Sequence, residues 1–574
     1  MKDYAILLPE LRLGIVSAVS AHIAKINLNT AGAPSGTYFN SGRYGRGEVG
    51  EFVLIEGQQN LLLGRIIEIC LPDKDRRSVT QAFSGDQLLD AIGHVQLLGS
   101  VSVVDELKVT AGVEYYPRLG DRVYAAPHEF IAKVPSATGG GSSNDTVSIE
   151  LGHVATGAES LVAITPERLF GRHCAILGST GGGKSWTTAR LIEQCIEHDA
   201  KIILLDATNE YRSLQTEGIQ HCHLGNLAKP EASSVEASLP PTAFSESDFT
   251  ALFRPSAGVQ APKLREAMSS LRMVQKAKEL GKETVISEDG LFIKAEKTYD
   301  EINRYKGEFP SLFKVAHDPG APFDVTQLIG QLKAECVWEN KDSYGGINQT
   351  HWGHCSTLVS RIAHITHCAE LGFVFDAAET ATPLPKLISE FLGDRTQKVL
   401  RICLSGVSQE YQAKEIVANA IGRSLLKEAR LGVFKDQPII VFVDEAHNFL
   451  GRKLGSEDLS SNLDAFEIIA KEGRKFGLCI CLATQRPRDI TEGVLSQMGT
   501  LIVHRLTNDR DRELVERACG EIDKSASAFL PTLQPGEAAI IGVDFPIPLT
   551  IKVIRPTQEP KSDGPKFQQS WKVK

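Results

Sequence analysis

Residues 172–185 read Arg172-His-Cys-Ala-Ile-Leu-Gly-Ser-Thr-Gly-Gly-Gly-Lys-Ser185. An apolar run, His173–Leu177, enters a glycine loop, and a segment with Leu191, Ile192, Cys195 and Ile196 at helical spacing leaves it. Gly178, Ser179, Thr180, Gly181, Gly182, Gly183, Lys184 and Ser185 match G-x-x-x-x-G-K-[ST] in the strand–loop–helix context that gives the pattern meaning. Glycines let backbone N–H groups converge on phosphate oxygens, and the start of a helix adds partial positive charge. Lys184 is the residue expected to reach the β- and γ-phosphates, and Ser185 the hydroxyl expected on Mg²⁺.

Downstream, apolar runs alternate with helical patterns: Lys201–Leu205, Val399–Leu404, Pro438–Val443, Gly477–Ala483 and Leu501–Val503. Continuous apolar runs between helices suit a parallel sheet covered on both faces, so the class is α/β. Pro438–Val443 delivers Asp444 and Glu445. A strand ending in such a pair can place one carboxylate in the Mg²⁺ shell (Asp444) and the next beside the attacking water (Glu445). Gly477–Ala483 leads to Thr484-Gln485, an amide placed to sense the γ-phosphate or hold the water. Asp206 and Glu210 close the Lys201–Leu205 run, where loop capping and a site role are equally open. Arg474, in Glu472-Gly-Arg-Lys-Phe-Gly477, and then Arg452 are candidates for a cation acting on transferring phosphoryl charge, although both also read as solvated helix-end cations.

With 574 residues, the chain predicts two or three domains. Composition that is 42% hydrophobic and 23% charged is ordinary globular material, with no bias toward disorder. A net charge of −9 removes any global basic surface, so nucleic-acid contact needs local patches or a ring of them. Several of the 11 cysteines (Cys174, Cys403, Cys479, Cys481) sit in apolar runs as small hydrophobes, which predicts a reduced, cytoplasmic setting. No apolar run approaches the ~18 residues of a membrane span.

Residues 1–145 hold short β-like runs (Leu13–Val19, Glu51–Ile55, Leu61–Ile69, His94–Val101, Arg122–Ala126, Phe130–Val134) and predict a small N-terminal β-barrel. Thr138–Asp145 reads as a linker. Residues 146–556 form the expected α/β domain, interrupted at about 212–395 by a polar, mostly helix-patterned insertion, and 557–574 reads as a tail. His351-x-x-His-Cys355 and His364-x-x-His-Cys368 have zinc-ligand residue types, yet the second set lies in a helix-like stretch and no CxxC supports a metal. The expectation is no zinc.

The chain resembles the bacterial HerA branch of the HerA/FtsK family of RecA-like ATPases. Residues 172–185, Val443-Asp-Glu-Ala-His447, Glu472–Gly477 with Ala483-Thr-Gln-Arg-Pro487, and Pro535-Gly-Glu-Ala538 with the paired β-runs after it carry the likeness, together with Gly42-Arg-Tyr-Gly-Arg-Gly-Glu-Val-Gly-Glu-Phe52 in the barrel region. The resemblance implies a RecA-like P-loop ATPase domain using ATP and Mg²⁺ at subunit interfaces of a homo-hexamer that threads duplex DNA. It also implies an effector partner: a nuclease, as in end resection, or a sirtuin-like NAD-consuming protein, as in anti-phage defence. A ring that assembles and activates a toxic effector under ATP control, without processive movement, is the alternative.

Overall fold

The computed structural model describes residues 6–28, 37–39, 42–45, 47–71, 91–102, 107–138, 147–155, 160–227, 230–280, 290–308, 310–450, 463–518, 527–561, 567 and 571. Two compact units account for them. The first takes residues 1–198, 483–488 and 495–559, and the second residues 199–482, 489–494 and 560–574.

The first unit opens with a closed antiparallel barrel. Its strands run in the order Ile23–Leu28, Arg12–Val19, Arg122–Ala125, Phe52–Ile55, Leu61–Cys70 and Ala91–Ser102, and the last pairs back onto the first. Closure removes the free sheet edges that would otherwise invite pairing with other chains. Alternation sends Ala24, Ile26 and Leu28 inward to meet Leu13, Val16, Val53, Ile55, Ile66, Val95 and Val123 in one core. Gly14 allows the close approach of the first two strands, because a Cβ there would lie 1.8 Å from the carbonyl oxygen of Asn27.

One expected strand is a helix. Phe130–Val134 lies within the helix His128–Ala137, which buries Phe130, Ile131 and Val134. A short continuous apolar run has no period of its own, so helix and buried strand look alike until packing decides. Thr138–Asp145 lies almost wholly outside the described residues, as does most of the tail.

The same unit carries a six-strand arrangement: Leu161–Ile164, Ile149–Val154, Phe545–Val553, Glu537–Gly542, Thr500–Val503 and Cys174–Leu177. Only the last pair is parallel, with Cys174 opposite Thr500 and Leu177 opposite Val503. The Cys174–Leu177 strand is buried throughout and feeds the helix Lys184–Glu197. The paired runs expected after Pro535 form the antiparallel Glu537–Gly542 and Phe545–Val553 hairpin.

The second unit is a parallel sheet in the order Leu478–Thr484, Ile439–Val443, Lys201–Asp206, Val399–Cys403, Ile219–His223, Val235–Ser238 and Thr382–Pro383. Within the insertion expected at 212–395 are the helices Glu246–Phe253, Gln260–Glu279, Leu328–Glu335 and Gln349–His367. The insertion is not purely helical. Ile219–His223, Val235–Ser238 and Thr382–Pro383 extend the sheet, and Val337–Glu339 pairs with Tyr344–Ile347 as a hairpin. Their polar residues (Gln220, His221, His223, Glu236) hide strand character that neighbouring strands nevertheless impose. Among the described residues no helix is long and apolar enough to cross a membrane.

Candidate functional site

In the first unit the glycine loop closes over the end of its strand. Gly181 and Gly183 have φ of 76° and 116°, conformations that a side chain would strain. The amide of Gly182 donates to Ser179 O at 3.1 Å, and Thr187 N donates to Gly183 O at 2.9 Å. Gly183 is the N-cap of the helix and provides no side-chain acceptor, so the first-turn amides stay available to an anion. Lys184, the first helical residue, is 7% exposed and its ammonium lies 3.4 Å from Ser179 O, at the loop's own mouth. Ser185 follows it one step into the helix. Gln485 is brought to the same loop: the Thr180 hydroxyl donates to its Oε1 at 2.5 Å.

A residue absent from the sequence expectations supports the loop. His504, just past the strand Thr500–Val503, is fully buried, with its Nε2 2.8 Å from Thr187 Oγ1 and its Nδ1 2.8 Å from Glu537 O. A carbonyl only accepts, so Nδ1 carries the proton and Nε2 receives the Thr187 hydroxyl. The ring is packed against the loop: a Cβ on Gly178 would meet His504 Cβ at 2.6 Å, and one on Gly183 would meet Cε1 at 3.1 Å. Ser179 N and Oγ donate to Arg505 O (3.0 and 2.9 Å), and Gly536 N donates to Gly182 O at 3.2 Å, completing the seat. Nothing in local spacing ties residue 504 to residue 178; only the parallel pairing of their strands does.

Burial, and then the Lys184 charge, push the His504 imidazole down to about 4. The unfolded value is about 6.5, so the neutral folded form is favoured. Its stabilisation is complete above about pH 6.5 and is lost as pH falls toward 4. Between pH 7.5 and 5 the parent should therefore lose about 2 kcal/mol more stability than His504→Gln, which has no titrating group there. Denaturant unfolding at both pH values measures this, and equal losses in the two proteins would refute the assignment.

The second unit gathers carboxylates at the carboxyl ends of two neighbouring strands, Lys201–Asp206 and Ile439–Val443. Asp206 is fully buried. Its Oδ1 accepts from Thr208, Asn209 and Glu210 amides (3.3, 2.8 and 3.2 Å), while Oδ2 accepts from Tyr211 N at 3.1 Å and Arg401 Nε at 2.8 Å. Arg401 is itself completely buried and also bonds His221 Nδ1 and Asn209 Oδ1. Asp206 thus acts as a loop cap held by a buried ion pair, one of the two roles open from sequence. It fixes the turn that carries Glu210, whose Oε2 is buried without a hydrogen-bond partner among the described residues.

Asp444 is 3% exposed; Tyr211 Oη donates to its Oδ1 at 3.4 Å, and its Oδ2 has no partner among the described residues. Burial first, then Asp206, Glu210 and Glu445, raise its carboxyl well above the ordinary value. An orphaned, buried carboxylate oxygen among other acids is a place where a divalent cation removes the strain, so the residues fit Mg²⁺, which uses few protein carboxylates and takes phosphate and water for the rest. Glu445 has φ 45°, a left-handed conformation that costs of order 1–3 kcal/mol in a non-glycine residue, and its Oε2 lies 3.1 Å from His447 Nδ1.

Arg474 is exposed on the turn Gly473–Phe476, just ahead of the Leu478–Thr484 strand, and makes no ion pair with the described residues. Arg452 lies outside the described residues. The histidine–cysteine sets sit on or beside the helix Gln349–His367. His364 Nε2 is 2.8 Å from Tyr411 Oη, His367 Nδ1 is 2.8 Å from Ala363 O, and Cys368 Sγ donates to Ile365 O at 3.2 Å.

Residues 149–310 match the family described as Helicase HerA, central domain. A probable helicase of Methanocaldococcus jannaschii is 22% identical over 522 residues, covering 88% of this chain and 86% of that protein. The DNA double-strand break repair helicase HerA of Sulfolobus acidocaldarius is 25% identical over 431 residues, 73% of this chain and 71% of that protein. Among solved structures, VirB4 of Thermoanaerobacter pseudethanolicus aligns with 15% identity and a TM-score of 0.44 over 72% of this chain and 97% of that one. Read with the glycine loop and the strand-end carboxylates, the sequence matches support a HerA/FtsK-type ATPase, an ATP-hydrolysing enzyme of the α/β P-loop class.

Proposed function

We propose that the chain is a DNA translocase or helicase motor that works on duplex DNA as a homo-hexamer, in the cytoplasm, together with an effector such as a nuclease or a sirtuin-like NAD-consuming protein. The observation that carries the motor reading is the buried Asp444 carboxylate, whose Oδ2 has no partner among the described residues, with Glu445 beside it, in a chain that also holds the Lys184 loop. The names of the HerA relatives support the DNA part. In this proposal residues 146–556 are the ATPase domain and 1–145 the barrel domain.

Backbone amides of Gly178–Gly183 cradle the phosphates, and Lys184 neutralises the β- and γ-phosphoryl oxygens. Bound Mg²⁺ would supply charge neutralisation of those oxygens, held by Ser185 and Asp444. Glu445 accepts a proton from the water that attacks the γ-phosphorus as the bond to the ADP oxygen breaks. Gln485, tied to Thr180, positions that water or reads the γ-phosphate. His504 holds the loop from beneath as a positioning residue.

With a net charge of −9, one chain is a weak partner for DNA, and affinity must come from repeated patches around a ring. The test is ATP hydrolysis by the isolated protein with and without duplex DNA. Stimulation is expected; a rate indifferent to DNA would favour the ATP-controlled scaffold instead.

Arg474, exposed and without an ionic partner among the described residues, is proposed to act on a neighbouring subunit's nucleotide. Arg474→Ala should keep nucleotide binding and lose about a hundredfold in kcat, because the cation acts mainly on transition-state charge. Mixed with Lys184→Ala subunits, it should regain activity at interfaces that join an intact loop to an intact arginine. If verified mixed hexamers show no recovery, the arginine acts within its own subunit or not at all, and Arg452 is tested next.

A further inference from the structure

A cleft of about 400 Å³ in the first unit lies outside the nucleotide site, lined by Arg43, Glu51, Arg65, Phe529, Leu533 and Thr550 among others. Its distinctive group is Arg65, on the barrel strand Leu61–Cys70, only 9% exposed. Among the described residues no carboxylate pairs with it. Nε donates to Gly50 O at 3.1 Å, Nη2 makes a long contact to Thr550 Oγ1 at 3.5 Å, and the guanidinium lies 4.1 Å from the Phe529 ring and 5.2 Å from Phe52. Burial alone moves Arg65 down to about 10, so it stays charged at neutral pH. A buried cation without a counter-ion is costly, and a guanidinium flanked by aromatic faces is the group that recognises carboxylate and phosphoryl oxygens by its fork.

The acids in the lining are otherwise engaged. Glu48 pairs with Arg43, Glu51 accepts amides from Gly45, Gly47 and Glu48, and Glu537 accepts from Gln534 N. Among the described lining residues Arg65 is therefore the cation without a carboxylate partner, since Arg43 has Glu48, and Val49, Ala155, Phe529 and Leu533 offer apolar surface beside it. We propose that this cleft is a binding site for a small molecule bearing one oxyanion group, carboxylate or phosphoryl, on an apolar body, with Arg65 as the anion clamp. A polyanion is disfavoured by the neighbouring carboxylates, and the volume is that of a small-ligand pocket.

The test is calorimetric titration of the full chain carrying Lys184→Ala, which keeps phosphoryl groups from the glycine loop. Benzoate and phenyl phosphate are the two probes, with neutral benzamide as the control. At least one anion should bind with a stoichiometry of one per chain and at least about tenfold more tightly than benzamide; which of them binds identifies the oxyanion. Arg65→Met should weaken that binding about tenfold or more, and Arg65→Lys should retain part of it, since charge survives without the fork. Val49→Trp, at a half-exposed lining position, should block the cleft while leaving Arg65 in place; it carries the test if the Arg65 variants do not fold. Failure of both anions to bind, or binding unchanged by Arg65→Met or by Val49→Trp, overturns the proposal.

Discussion

Replacing Lys184 by alanine should abolish ATP turnover, with kcat/KM falling by roughly three orders of magnitude and nucleotide binding lost at ordinary concentrations. The ammonium is nearly buried at the loop mouth, beside Ser179 O and the amide-rich start of a helix. Two charge-assisted contacts to phosphoryl oxygens at ~1.5–3 kcal/mol each amount to about 3–6 kcal/mol, which is roughly 10²–10⁴ in affinity. Alanine keeps the helix, since it is the best helix former, so the loss would not come from unfolding. Steady-state ATPase assays and nucleotide titration decide the matter, and parental turnover in this variant would overturn the central role given to the loop.

Glu445→Gln should separate binding from chemistry. The amide keeps size and polarity but cannot take a proton from water, so kcat should fall by about 10³–10⁴ while ATP still binds. The left-handed backbone at Glu445 makes the same steric demand on glutamate and glutamine, which isolates the proton-transfer role from local strain. Such a variant should accumulate an ATP-bound form detectable by single-turnover kinetics. If it hydrolyses at the parental rate, the base lies elsewhere, and Glu210 is the next residue to change because its Oε2 is buried and has no partner among the described residues.

Signals confined to a few neighbouring residues could be read without the fold. The spacing of Gly178, Gly183, Lys184 and Ser185, and the apolar strand that ends at Asp444 and Glu445, are local patterns, and each sits on the predicted kind of element. The α/β alternation and the N-terminal barrel were legible for the same reason: a buried parallel strand is apolar throughout, and a barrel strand alternates. Gln485 could be nominated as a strand-end amide, but its contact with Thr180 joins residues far apart in the chain.

Tertiary structure decided what depends on partners distant in sequence. Phe130–Val134 is apolar enough for either state, and packing within the first unit made it helix. Asp206 was divided between capping and catalysis until buried Arg401, on another strand, gave it a fixed ionic partner. His504 and Arg65 look unremarkable in the chain. The first lies under the glycine loop only because Thr500–Val503 pairs with Cys174–Leu177, and the second has a cleft only because Phe529 and Thr550 close over a barrel strand. Secondary-structure and loop motifs are set by steric and hydrogen-bond rules acting over a few residues, so they show in sequence. Burial, desolvation and charge pairing depend on which distant segments meet, so the neutrality of His504, the raised Asp444 carboxyl and an Arg65 guanidinium buried without a carboxylate partner among the described residues exist only in the folded chain.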